Sequence, residues 1–150
     1  MPNVYQAVAK GMNLLLGFVR EDGKVYRSRI GSDEYIGRVD LVNGLIYAEQ
    51  YGYEKEIGQV NLLNGKVYSR LSGPGQYLGY VDRRGRMYRH ISMDADAYIG
   101  KARKSMSIAH NAAAMLLLVI PAGDIFWQEK QRMGAQMHTI EKGKRELCHW

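Results

Sequence analysis

Arg83, Arg84, Arg86 and Arg89 stand within seven residues of one another, interleaved with Tyr80 and Tyr88. Cations beside exposed rings are how a protein grips a single nucleic-acid strand, phosphates on the basic groups and bases on the rings. The same stretch also suits a hairpin tip kept in water by its charge. The corresponding tip earlier in the chain carries Glu21 and Asp22 instead, so the solubilising role is the stronger expectation and nucleic acid the lesser one. Four recurrent tyrosines, Tyr26, Tyr47, Tyr68 and Tyr88, would offer hydroxyls and stacking faces to a ligand or partner if they lined an opening. Packing across strands is their simpler use.

Other chemistry finds less support. His90, His110, His138 and His149 are scattered, and the terminal Cys148-His149 pair supplies two ligands where a metal site needs three or four. No metal or cofactor is expected. No Ser or Cys stands beside a base in the spacing that nucleophilic catalysis requires, and no phosphate loop is present. Asp33, Glu34, Glu54, Glu56, Asp94 and Asp96 fall in connecting segments, where solvated acids are expected. His90 beside one of them would be the mark of an enzyme; without it, no catalytic residue is assigned.

The elements that position these residues come from a repeat. Glycines at 17, 37, 58, 79 and 100 keep steps of 20 or 21 residues, and so do tyrosines at 5, 26, 47, 68 and 88. Each unit reads Φ-G-x-V, a turn with Gly just before its end, then x-Φ-Y. The turns 21–24, 41–45, 62–66 and 82–86 carry the Asp-Gly and Asn-Gly chemistry of tight hairpins. Alternating Val, Ile and Tyr on either side predict strands. The chain opens on the second half of a unit, "PNVYQAV", and the repeat region closes on a first half, "AYIGKAR". Together they complete a fifth unit. The expected fold is mainly β: a five-fold hairpin repeat of about ten short antiparallel strands, with the first closing on the last to form a barrel or ring without exposed edges.

Period-2 alternation buries Val19, Val39, Val60, Val81 and Ala102 with the glycines, together with Val4, Val25, Ile46, Val67 and Met87. It sends the tyrosines outward, and Ile36, Ile57, Leu78 and Ile99 with them. Residues 1–103 form the expected barrel and 104–150 a helical extension of about two helices. All 11 tyrosines precede residue 99 and both tryptophans follow it. Residues 105–120 suit a helix with a Ser start, the "PAGD" stretch at 121–124 breaks it, and Asp124 caps a second carrying Phe126, Met133, Met137 and Ile140. The extension is expected to pack on the barrel or on another subunit. Its apolar run, 112–122, is about half the ~20 residues that a membrane span needs, so a membrane role is not expected.

The unit resembles short tandem β-hairpin repeats of the MORN type, with their recurrent Tyr and Gly. Those repeats stack as open arrays and bring no catalytic residues, whereas the phase of these ends implies closure. A formal charge of +6 permits contact with anions without demanding it. No basic leader precedes an uninterrupted apolar stretch, and cytoplasmic residence is the expectation. The leading functional expectation is a non-enzymatic interaction or assembly module, a homo-oligomer or protein partner meeting the C-terminal helices. A carrier of a small apolar ligand, held in the barrel or under the tail helix, is the alternative. Nucleic-acid binding through Arg83–Arg89 comes third.

Overall fold

The computed structural model describes residues 3–7, 13–70, 75–91, 96–104 and 106–122. Ten strands follow in order: β1 (Asn3–Ala7), β2 (Asn13–Val19), β3 (Lys24–Arg27), β4 (Glu34–Val39), β5 (Leu45–Gln50), β6 (Tyr53–Val60), β7 (Lys66–Ser69), β8 (Gln76–Val81), β9 (Arg86–Arg89) and β10 (Ala97–Ala102). Each pairs antiparallel with its chain neighbours, and β1 pairs with β10, so the sheet is a closed barrel. Val4 lies opposite Ala102 and Tyr5 opposite Lys101 in that closing pair. The two half-units complete the fifth repeat, and the closed edge leaves no row of backbone groups unpaired.

The hairpin turns form for the reasons their residues suggest. Asp40 Oδ1 accepts from the backbone N–H groups of Val42 and Asn43, and Asn61 and Asp82 repeat the device. Gly44, at φ +77°, holds the left-handed position that ends its turn. Its carbonyl accepts from Val60 N–H at 2.9 Å, and Gly23, Gly65 and Gly85 accept in the same way from Val39, Val81 and Ala102. Each turn is thus tied to the next hairpin along the ring.

Every repeat contains one β-bulge. Val25 pairs with Gly37 and Tyr26 with Tyr35, so Ile36 is the extra residue. Leu16, Ile57, Leu78 and Ile99 are its counterparts. This corrects the simple alternation. A bulge shifts the side-chain phase by one, so these residues turn from the tyrosine face and pack against the core. The bulge also presses the tyrosine carbonyl of the neighbouring strand against the glycine. A Cβ at Gly17, Gly37, Gly58, Gly79 or Gly100 would collide with the carbonyl oxygen of Tyr26, Tyr47, Tyr68, Tyr88 or Tyr5, respectively. The two markers that reveal the repeat touch one another, and Gly100 with Tyr5 closes the series.

The chain after β10 turns back into the barrel. Helix α1 (Ile108–Ala114) continues as a π-helical turn (Met115–Val119) and stays helical to Ala122. Residues 109–120 are all buried. Residues 109–120 of the extension therefore do not pack on the outside: this stretch is largely apolar all round, and the interior is the place where every side of a helix is covered. Ser107 caps it, its Oγ accepting from His110 N–H. The carbonyl of Glu21 can only accept, so His110 donates to it from Nε2 at 2.9 Å and its Nδ1 accepts from the Ser107 hydroxyl. Asn111, fully buried, donates to the Asp82 carbonyl at 2.9 Å. These bonds anchor the helix to two hairpin turns. The second helix expected after Asp124 lies outside the described residues.

The π-turn matches the five-fold wall. Met115 meets Gly79, Leu116 meets Gly58, Leu117 meets Gly37 and Val119 meets Gly100. Successive residues step back one repeat at a time, and the cyclic order brings Leu118 to the first repeat, whose β2 the π-turn touches. An α-helix completes a turn in 3.6 residues and would fall out of step with five repeats; the i→i+5 bonding of a π-turn comes closer. Gly79→Ala should destabilise the fold by about 3 kcal/mol or more, because the added methyl meets both the Tyr88 carbonyl and Met115 Cε. Gly52→Ala, at φ +84° with nothing within 4 Å, should cost only about 1 kcal/mol. Urea midpoints of the two variants check the difference, and equal losses would refute a role for contact with the helix and wall.

Candidate functional site

With the interior filled, the surfaces left for binding are the outer wall and the barrel's two ends. On the wall of β8, β9 and β10, two rows of outward side chains run side by side across the strands. In one, Tyr88 lies between Tyr80 and Tyr98. The first ring pair is stacked at 4.7 Å between centroids and the second tilted at 5.7 Å. In the other, Lys101 lies between Arg86 and Tyr5, with the Arg103 guanidinium 5.8 Å from the Tyr5 ring. Tyr98 is 43% exposed.

The four arginines of the sequence cluster do not act together. Arg83 and Arg84 are exposed on the tip between β8 and β9. Arg86 is held by Asp82, Nε to Oδ2 at 2.8 Å. Arg89 lines the mouth at the opposite end of the barrel. What gathers around Arg84 instead is Lys101, Arg103 and Lys104, which with Asn3 and Ala102 line an open hollow of about 650 Å³. Sequence proximity missed this group because β10 reaches the tip only through the fold. Among the described residues no carboxylate pairs with Arg84, Lys101, Arg103 or Lys104. Residues 1–80 hold nine Lys and Arg against eight Asp and Glu; residues 81–104 hold seven against three. The charge excess of the barrel belongs to this wall.

The four recurrent tyrosines all lie on the outer wall, half-buried, and Tyr68 lines an open hollow of about 350 Å³ with Asn43, Gln59 and Asn61. Tyr26 stacks on Phe18 at 5.3 Å, Tyr47 lies beneath the Arg38 guanidinium at 4.4 Å, and Tyr68 tilts against Tyr77. Tyr26, between Phe18 and Tyr35, and Tyr88, between Tyr80 and Tyr98, each have aromatic neighbours on both adjoining strands.

Of the acids expected in connecting segments, Glu34, Glu54 and Glu56 lie instead within β4 and β6. Glu34 pairs with Arg27 and Arg29, and Glu56 with Arg70. Asp96 and Glu54 are held by hydroxyls as well. Asp96 accepts from the Tyr77 hydroxyl at 3.0 Å and lies 2.9 Å from His90 Nδ1. Glu54 accepts from Arg38 at 2.7 and 3.0 Å and from the Tyr35 hydroxyl at 3.3 Å. Both tyrosines stand 19 residues before their acid, a spacing the repeat dictates. Hydrogen bonds from Arg38 hold the Glu54 carboxyl below its usual range. The His90–Asp96 contact is the histidine–carboxylate pair an enzyme would need. Its third member is a phenol that burial first, and then the bond to Asp96, push up to about 12. A phenol held protonated is no nucleophile at neutral pH. The cluster ties the residue that follows β9 to the one that precedes β10.

At the end opposite the tips, the helix emerges into a mouth of about 570 Å³. Ile36, Ile57, Leu78, Leu116, Leu117 and Ile120 line it with apolar surface, and Arg27, Glu34, Glu49 and Arg89 add charge. Among the described residues no group of three or more His, Cys, Asp or Glu could hold a metal, and no helix is long and apolar enough to cross a membrane. No known protein family matches the chain, and no curated protein or solved structure is similar to it.

The Tyr77 phenol holds its proton more tightly folded than unfolded, so its contribution is complete below the ordinary tyrosine value and is lost as pH rises through about 12. Tyr77→Phe should cost about 1 to 2 kcal/mol at neutral pH. That gap from wild type should narrow between about pH 9 and about pH 12. Urea titrations of both proteins across that range measure it, and a constant gap would show that the hydroxyl is not held by Asp96.

Proposed function

We propose that this protein is a non-enzymatic binding module whose working surface is the β8–β10 wall, and that its partner is anionic. The observation that carries the reading is the coincidence of Arg84, Lys101, Arg103 and Lys104 around one open hollow, on the wall that holds nearly all of the barrel's charge excess. Clustered cations that find no carboxylate partner among the described residues repel one another, and an anion relieves that repulsion. The helix inside the barrel supports a role as scaffold, because it leaves the interior to packing.

Immobilised heparin, a polyanion without bases, tests the reading with the full chain. Retention at physiological salt is expected, and Lys101→Glu with Arg103→Glu should elute at far lower salt. The same two-charge reversal at Arg20 and Lys24, on the first hairpin, should elute nearer to wild type. Equal effects of the two reversals would reduce the binding to net charge and remove the wall from it.

A second reading has its own observation. The apolar mouth is of the size that takes a small ligand, and it lies beside the tail helix. A carrier would show, in native mass spectrometry, a mass above the 17.0 kDa chain that disappears on denaturation. A bare chain mass, unchanged after incubation with fatty acids or other small apolar compounds, would count against this reading.

A further inference from the structure

We infer that the anionic partner is single-stranded nucleic acid, with phosphates on Arg84, Lys101, Arg103 and Lys104 and bases against the Tyr88–Tyr98 row. This inference rests on the reading of the wall as an anion-binding surface and names the partner. The cations alone would suit any polyanion. What selects among polyanions is the aromatic row beside them.

Three facts place the two rows in one site. Lys101 and Tyr98 are successive outward residues of β10, because the bulge at Ile99 and Gly100 turns both intervening residues inward. Tyr88 lies opposite Tyr98, and Arg86 lies opposite Lys101, so the rows continue in step onto β9. Among the described residues Asp82 is paired with Arg86 and Asp96 is turned to Tyr77 and His90, so neither pairs with a cation of the hollow.

The chemistry then favours bases that are unpaired. Tyr80 and Tyr88 cover each other's faces and Tyr88 braces Tyr98, so Tyr98 is the ring of the row that meets a base, and every base has a face to offer it. A duplex keeps its bases stacked on each other, so it would use the cations and leave the rings idle. An acidic protein or a sulfated sugar would do the same. The 43% exposure of Tyr98, at the edge of the row nearest the hollow, provides the first stacking face.

The test is fluorescence anisotropy of the full chain with a labelled oligodeoxythymidine of about twelve nucleotides. The same probe annealed to its complement serves as the duplex. Single-strand binding tighter than duplex binding is expected. Its affinity should fall with log salt at a slope near −3, as release of counterions from about four phosphates requires. Tyr98→Ala should weaken oligonucleotide binding fivefold or more and leave heparin retention unchanged, while Tyr98→Phe keeps both. Because Tyr98 is near the surface, the alanine variant should fold, and unchanged far-ultraviolet dichroism confirms that it has. Tyr88→Leu provides a second probe of the row. Equal affinity for duplex and single strand, or indifference to both tyrosine changes, overturns the nucleic-acid inference while heparin retention leaves the anion-binding reading in place. Absence of heparin retention ends both.

Discussion

A ten-stranded barrel encloses more space than the side chains of its own wall can fill, since about eight strands is the width at which they suffice. An apolar void of that size would forfeit contacts along every strand. This chain fills it with its own continuation. The break in composition near Lys104 marks the passage from wall to core, and the alanine-rich start and bulkier end of the helix are core residues. The in-strand glycines follow from the same constraint. They admit the tyrosine carbonyl pressed inward by each bulge, and four of them also leave room for Met115, Leu116, Leu117 or Val119. Larger residues there would separate wall from helix.

Filling the barrel decides where function can be. Positions alike in all five units answer to the scaffold: the inward Val, Ile or Met before the tyrosine, and the glycine. Positions that vary answer to solvent or to a partner. The outward residue paired with the recurrent tyrosine is Phe18, Arg38, Gln59, Tyr80 or Lys101 in successive units. Five-fold geometry thus presents five walls of similar backbone and different chemistry. One of them gathers both the aromatic row and the cations.

Much of the wall was legible in the sequence because its signals are local. Turn residues, alternation and period identified ten strands, and the half-units at the two ends implied closure. An in-strand glycine marks a bulge or a close backbone approach, and both occur here, but the glycine does not say which neighbour changes face. Alternation counts residues, and a bulge adds one without changing composition, so Ile36, Ile57, Leu78 and Ile99 were assigned outward. The helix was found but not its seat. Its lack of a polar face was the available signal, since a helix lying on the barrel would keep one side for water. The basic group around Arg84 was hidden for another reason: Lys101, Arg103 and Lys104 meet the β8–β9 tip only when β10 closes the ring. The Tyr77–Asp96 and Tyr35–Glu54 bonds follow from the repeat spacing, but only once the strand register is known.

The device that makes the barrel rigid also suits its wall to binding. Side chains that must be ordered by a partner cost affinity, and rings already held by their neighbours do not. Tyr80 and Tyr88 are stacked before any partner arrives, and Tyr88 is braced by Tyr98 on its other side. Their strands are fixed from behind by the Tyr88 carbonyl against Gly79 and by Met115 and Val119 against Gly79 and Gly100. Beside the row, Asp96 is held between Tyr77 and His90, which ties the start of β10 to β8 and to the end of β9. A change in the buried helix would therefore reach the wall through these contacts without touching a surface residue. Core and binding surface are separated here by the thickness of a single strand.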